Sequence, residues 1–323
     1  MKRKIAIVAG GDSSEYGVSL KSADGICSFL NKQLYEPYIV VLRGADWNVQ
    51  LNDGLTLPID KNDFSFTLNG VKTIFDYAYI TIHGIPGESG QLQGYFDMLR
   101  IPYSCCGVLA AALTCHKFAC NHYLHGFGFD IAKSVLLSTP DQLTDDEILE
   151  EIGLPCFVKS NTGGSSYGCT KVKQPDQLRP AIDKAFAEGD EVIIEAFMDG
   201  TEVTCGVYKT RTKAVAFPLT EVVTHREYFD YEAKYKGASD EITPARLSEE
   251  LTKKIQQLTL RLYDLIGCHG IIRTDYIIEK GVIKVMDVNT TPGMTSTSFI
   301  PQQVRAAQLN ITDVLTDIIE DSF

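Results

Sequence analysis

Residues Ile5–Ala9 form an unbroken apolar run that stops at Gly10-Gly11, and Val18, Leu20, Ala23, Ile26 and Leu30 follow at mixed helical spacing. A strand without polar alternation has to be buried on both faces, and a helix that returns after a glycine turn is the usual way to cover one of them. Tyr38–Leu42 and Tyr77–Ile82 are further continuous strands, and Gln91–Leu99 has a helical pattern. The first hundred residues therefore read as a parallel α/β unit. The basic head Met1-Lys-Arg-Lys precedes too short an apolar run for a signal peptide and belongs to the first strand.

A chain of 323 residues is longer than one core supports. The rest divides into a segment with strands at Cys156–Lys159 and Thr170–Val172, a helix at 177–187 and a strand at 191–197, then one with a long helix at 248–266 and two strands ending at Asn289. This predicts an α/β chain, α+β in parts, with units at 1–104, 105–195 and 196–323. Forty-two acidic against thirty basic residues give a net charge of -12, which repels nucleic acid and anionic membranes. The longest uncharged apolar stretch, Cys105–Leu113, falls far short of the roughly 18 residues that span a bilayer. Nine cysteines without a CxxC pair or a zinc-finger ladder predict reduced thiols and a cytoplasmic protein, with Cys105 and Cys106 buried as packing.

Three stretches carry chemistry. The runs 270–279 and 282–289 flank a Glu-Lys-Gly turn and predict an antiparallel hairpin. Alternation puts Arg273 and Asp275 on one face of the first strand, and Asp287 and Asn289 on one face of the second. A register centred on Lys280 or Gly281 unites them into an oxygen cage suited to Mg²⁺. The same residues also suit an ion-paired hairpin face, with Arg273 pairing Asp275 or Asp287. The loop Lys159-Ser-Asn-Thr-Gly-Gly-Ser-Ser-Tyr-Gly168 offers backbone N–H groups and hydroxyls to a phosphate, although it is no Walker loop. Its Gly164-Ser-Ser166-Tyr-Gly168 also matches the serine-hydrolase elbow, which demands a helix directly afterwards. Finally, Asp287-Val-Asn-Thr-Thr-Pro-Gly-Met-Thr runs through a hydroxyl-rich turn to a helix start at Phe299, suited to an oxyanion or a carboxylate. The plainer reading there is a loop with Ser298 as helix cap.

Together with Gly10-Gly-Asp-Ser-Ser-Glu15-Tyr-Gly-Val-Ser19 and His83-Gly-Ile-Pro-Gly-Glu-Ser-Gly-Gln-Leu-Gln-Gly94, these motifs resemble the D-alanine:D-alanine ligases of the ATP-grasp superfamily, in the family's order along nearly the whole chain. The resemblance implies a three-domain ATP-grasp architecture and ligation of two D-alanines through an acyl phosphate, for peptidoglycan precursor synthesis. It assigns Lys117, Lys159, Ser165 and Ser166 to ATP phosphates, and Glu195, Phe197, Met198 and Glu202 to adenine and ribose, with Phe229 against the purine. Asp275, Asp287 and Asn289 would hold two Mg²⁺, with Mn²⁺ as an alternative. Glu15 would pair with the ammonium of the first D-alanine, with His83 nearby, and Ser298 and the Phe299 N–H would take the carboxylate of the second. Arg273 and the Gly293 N–H would be the oxyanion donors, and Lys234 would stabilise the transferring phosphoryl group. A lid bearing Tyr235 would close onto Ser165 and Glu15. Tyr235 stands where depsipeptide-forming relatives carry His, which favours an amine acceptor. The resemblance also implies a homodimer with small-molecule substrates, D-alanine and ATP, and no nucleic acid or membrane partner.

The chain departs from the family pattern at named positions. Asp287 stands for the usual Glu, Ser160 for a common Pro, Ser89 for Asp and Ala196 for a frequent Lys, while His116 before Lys117 reads as a surface residue. Two other readings compete: a serine hydrolase built on Ser166, and a nucleotide-binding sensor of the same fold that has lost catalysis.

Overall fold

The computed structural model describes residues 2–51, 54–164, 168–224 and 239–323. The expected α/β architecture is present as three main sheets, with one further two-stranded hairpin. In the first sheet β1 (Arg3–Gly10) lies between β2 (Tyr35–Arg43) and β7 (Tyr77–Ile80), parallel to both. The helices α1 (Tyr16–Phe29) and α2 (Gln91–Leu99) belong to this unit. At Gly10 (φ +98°) a Cβ would lie 2.3 Å from the Leu42 carbonyl oxygen, so the turn out of β1 needs glycine for both conformation and space. The Gly10 N–H donates to Ser19 Oγ at 2.9 Å and ties the strand to α1.

Periodicity did not reveal β3 (Asp46–Gln50), antiparallel to β2, and β4 (Thr56–Pro58), antiparallel to β3, which extend the sheet, or the separate hairpin β5 (Ser65–Leu68) and β6 (Val71–Ile74). These strands are three to five residues long and half of their residues are exposed, so apolar patterning has little to act on. An aromatic cluster holds them, with Phe64 against Phe96 at 4.9 Å and Trp47 against Tyr95 at 5.2 Å between ring centroids.

After α3 (Val108–Cys115), α4 (Lys117–Gly126) and the short β8 (Asp130–Ile131), the second sheet is wholly antiparallel. Its order is β11-β10-β12-β9, from β9 (Ser134–Leu137), β10 (Cys156–Ser160), β11 (Thr170–Val172) and β12 (Val192–Ala196). Cys156, Val158, Val192 and Ile194 form a core with α5 (Asp145–Ile152) and α6 (Leu178–Phe186). Strand alternation sends Phe157, Lys159 and Glu195 to the opposite face.

The third sheet runs β16-β15-β13-β17-β18-β8, with β14 (Ala214–Ala216) on β13. Its strands are β13 (Thr201–Lys209), β15 (Thr220–Thr224), β16 (Ser239–Ile242), β17 (Ile271–Glu279) and β18 (Val282–Asn289). One face packs on α3, α4 and α7 (Glu249–Ile266). The last helices, α8 (Phe299–Ala306) and α9 (Ile311–Glu320), share a core with α1, β1 and β7. All nine cysteines are free, and Cys105 and Cys106 are buried as expected.

The hairpin β17–β18 contains a decisive irregularity. Lys280 (φ +49°) and Gly281 (φ +84°) form a two-residue turn with Glu279 opposite Val282, and this ladder continues to Tyr276 opposite Val285. Continued regularly, it would place Asp287 opposite Thr274, on the helix-covered face. The register instead shifts at Met286, so that Asp275 faces Asp287 and Arg273 faces Asn289. Burial records the switch, for Ile283, Val285 and Val288 all lie in the helix-side core although Val288 has the other parity. The four residues thus meet on one face, in the register centred on Gly281.

Because the bulge only absorbs Met286, deleting Met286 is expected to keep Asp287 opposite Asp275 and to preserve cooperative urea unfolding. Deleting Val288 would move Asn289 into the helix-side core and is expected to cost at least about 2 kcal/mol in the same measurement.

Candidate active site

The open faces of the second and third sheets and the rim of the first enclose a cavity of about 1030 Å³. Glu15, His83, Lys117, Lys159, Glu195, Phe197, Met198 and Glu202 line it, as do Arg273, Asp275, Asp287, Asn289, Gly293, Ser298 and Phe299. Every described residue assigned to the site from the sequence therefore reaches one space, although they come from segments almost three hundred residues apart. Ser165, Ser166, Phe229, Lys234 and Tyr235 lie outside the described residues.

On the wall formed by the third sheet, Arg273 donates to Asp275 through Nε and Nη2, each at 2.8 Å, and Thr204 Oγ1 donates to Asp275 Oδ1 at 2.6 Å. The pair is mostly buried, and its fork geometry is the strong form of a charged hydrogen bond. The ion pair envisaged as the plainer alternative thus exists, on the same face as the oxygen cage. Asp287 makes no hydrogen bond or ion pair among the described residues, while Asn289 Oδ1 accepts from the Thr291 N–H at 3.0 Å.

On the wall formed by the second sheet, Lys159 Nζ and Glu195 form a 2.6 Å ion pair, and Asn121 donates to the other Glu195 oxygen at 3.0 Å. Burial opposes the charge on Lys159, but Glu195, with Cys169 and Asp287, outweighs it and holds the ammonium above its ordinary pKa. Lys117 Nζ donates to the Gly163 carbonyl at 2.7 Å, so a second cation already braces the glycine-rich loop. That loop joins β10 to β11, an antiparallel partner strand. No helix follows directly, so the context a hydrolase elbow needs is missing. A Cβ on Gly164 would lie 2.3 Å from Glu15 Oε2, which shows how closely the loop approaches the start of α1.

His116 corrects the surface reading. It is the N-cap of α4, with Nδ1 accepting from the Ala119 N–H at 3.1 Å and Nε2 lying 3.0 Å from Glu191. Asn161 Nδ2 also lies 3.0 Å from Nε2 and donates to Glu191 at 2.9 Å, so the three side chains form one cluster at the start of α4. Ser298 corrects the cap reading in the opposite sense. It occupies the N-cap of α8 but makes no capping bond, and its hydroxyl accepts from the Thr295 N–H at 3.1 Å.

Residues 4–106 match the D-ala D-ala ligase N-terminus and residues 124–320 the D-ala D-ala ligase C-terminus. The chain belongs to the D-alanine–D-alanine ligase family. The D-alanine–D-alanine ligase of Bacteroides fragilis is 64% identical over 324 residues, covering 100% of both chains. That of Porphyromonas gingivalis is 52% identical, covering 99% of this chain and 98% of its own. Among solved structures, the VanG D-Ala:D-Ser ligase of Enterococcus faecalis aligns over 100% of both chains with a TM-score of 0.89 and 29% identity. The Bacillus anthracis D-alanine–D-alanine ligase complexed with ATP aligns over 99% of this chain and 97% of its own, with a TM-score of 0.79 and 27% identity.

Within this ligase framework two residues escaped the sequence reading. Glu88 accepts from the Gly84 N–H at 2.7 Å and from Thr291 Oγ1, and so ties the loop after β7 to the turn after β18. Burial pushes the Glu88 carboxyl up, partly offset by His83 and Thr291. Its place in the 83–94 motif was a signal, but its partner 203 residues away was not legible. Asn121, one turn after Lys117 on α4, donates to Glu195, a partner in a strand 74 residues away.

Replacing Lys159 by Met would strand the Glu195 carboxylate and is expected to cost about 3–5 kcal/mol. Adding Glu195→Leu should return most of it, as urea denaturation of the single and double variants would reveal.

Proposed function

We propose that the chain joins two D-alanines into D-alanyl-D-alanine with conversion of ATP to ADP and phosphate. Family membership supports the reaction. The observation that carries the reading for this chain is that Lys117 of α4, Lys159 of β10 and the Arg273, Asp275, Asp287 and Asn289 face of the third sheet enclose one cavity, with Glu15 at its rim.

The chemistry needs ATP because a carboxylate is a poor electrophile: its leaving group would be oxide. Attack by the first D-alanine's carboxylate on the γ-phosphate makes an acyl phosphate, and the second D-alanine's amine then expels phosphate. Charge spreads over the phosphoryl oxygens and then onto the oxygen of the tetrahedral carbon, so positioning and electrostatic stabilisation dominate. Lys117, Lys159, Ser165 and Ser166 hold the phosphates, with Lys159 exchanging Glu195 for them. Glu195, Phe197, Met198 and Glu202 hold adenine and ribose, and Phe229 closes on the purine. Glu15, with His83 beside it, orients the first D-alanine. Arg273 and the Gly293 N–H face the developing oxyanion, and Lys234 the phosphoryl group. Ser298 and the Phe299 N–H, at a helix N-terminus, take the second carboxylate. Tyr235 with Ser165 and Glu15 excludes water from the acyl phosphate.

Asp275, Asp287 and Asn289 fit Mg²⁺: all offer hard oxygens on one sheet face, and Asp287 makes no hydrogen bond or ion pair among the described residues. Bound there, Mg²⁺ would neutralise phosphate charge during transfer.

The product serves peptidoglycan synthesis. Nine free thiols and ATP as substrate support a cytoplasmic site, and the family resemblance supports a homodimer. Among the described residues no helix is long and apolar enough to cross a membrane.

A coupled assay is expected to show ADP release that requires both D-alanine and Mg²⁺ and is absent with L-alanine. Asp287→Asn should lower turnover by at least about 10²-fold and weaken Mg²⁺–nucleotide binding in calorimetry, with the thermal transition unchanged. ADP release independent of D-alanine, or an unaltered D287N enzyme, would refute the assignment.

A further inference from the structure

The second D-alanine reaches the cavity as an ammonium ion, which has no lone pair for attack. Something must take its proton, and no residue assigned above does so. Glu241 of β16 pairs with Val222 of β15 and lines the cavity, as do Ser298 and Phe299 at the start of α8. Gln302, in the second turn of that helix, donates from Nε2 to Glu241 Oε2 at 2.6 Å and to the Thr297 carbonyl at 2.7 Å. The amide is thereby fully used, and Glu241 Oε1 has no hydrogen bond among the described residues.

The neighbouring carboxylates are committed elsewhere. Glu221 is forked to Arg246 at 2.7 and 2.9 Å, and Asp275 is forked to Arg273. Among the described residues Glu241 is hydrogen-bonded only to a neutral amide, and the charge facing it from β17 is that of Arg273. The Arg273 guanidinium lies 5.3 Å from the centroid of the Phe299 ring, so Glu241, the oxyanion donor and the acceptor's carboxylate site converge at one corner. Burial raises the Glu241 carboxyl above its ordinary value, against the opposing pull of Gln302 and Arg273. A carboxylate so placed is a better proton acceptor than one in water.

We infer that Glu241 is a catalytic residue of the second half-reaction, pairing with the ammonium of the acceptor amino acid and taking its first proton. This rests on the ligase reading above. The proton passes from nitrogen to Glu241 Oε1, and the freed lone pair forms the C–N bond with the acyl carbon. Collapse of the tetrahedral species breaks the C–O bond to phosphate, and the departing phosphate carries off the second proton. Glu241 then returns its proton to solvent.

Hydroxylamine separates the two halves of the reaction, because it is largely unprotonated at neutral pH and traps the acyl phosphate without a base. With ATP, Mg²⁺ and D-alanine, Glu241→Gln is expected to lose about 10²-fold in dipeptide formation while keeping wild-type hydroxamate formation. Glu241→Asp, which retains a proton acceptor, should recover much of the loss. Equal loss of both products in the two variants would mean a structural role and overturn the proposal, as would unaltered dipeptide formation in E241Q. Absence of hydroxamate from the wild-type chain would instead reject the ligase reading itself.

Discussion

The site depends on a single extra residue in one strand. Side chains alternate with a period of two, so a register error of one residue exchanges the faces of everything beyond it. The two-residue turn at Lys280-Gly281 sets a register in which Asp287 and Asn289 would face the helices. The bulge at Met286 restores them to the side of Arg273 and Asp275, and in the same step returns Val288 to the apolar core. Two demands, burial of an aliphatic side chain and exposure of two oxygen donors, are met by one irregularity.

Around this face the structure holds its charges in mutual pairs. Arg273 grips Asp275, Lys159 grips Glu195, and Lys117 braces the loop at Gly163. Each partner is partly buried, so its charge needs compensation before any substrate arrives. A triphosphate and a divalent ion supply the same signs of charge to the same groups. Binding can then proceed as an exchange of partners within the cavity, with the side chains already close to where the chemistry needs them.

How much was legible in the sequence follows from how local each signal is. The continuous strands at Ile5–Ala9 and Tyr77–Ile82, the helix at Gln91–Leu99 and the long helix after Ser248 could be read because each carries its apolar period within its own span. Strands β3 to β6 could not, since they are short and half exposed and are held by aromatic contacts between segments. The site residues were legible through their motifs, which run in a known family's order. His116 as a helix cap, Asn121 beneath Glu195 and Thr291 on Glu88 were not, because each depends on a partner from a distant segment.

Composition and local pattern by themselves determined that this is an α/β chain with a parallel first unit, a terminal hairpin and an inventory of phosphate- and cation-seeking groups. Those properties reside in neighbouring residues and survive in any fold that respects them. Tertiary structure decided which face of the hairpin the carboxylates take, which carboxylates are spent on guanidinium groups, and that Glu241 meets a neutral amide instead. These outcomes depend on register and on the company each side chain keeps across sheets, and both are settled only when distant segments pack.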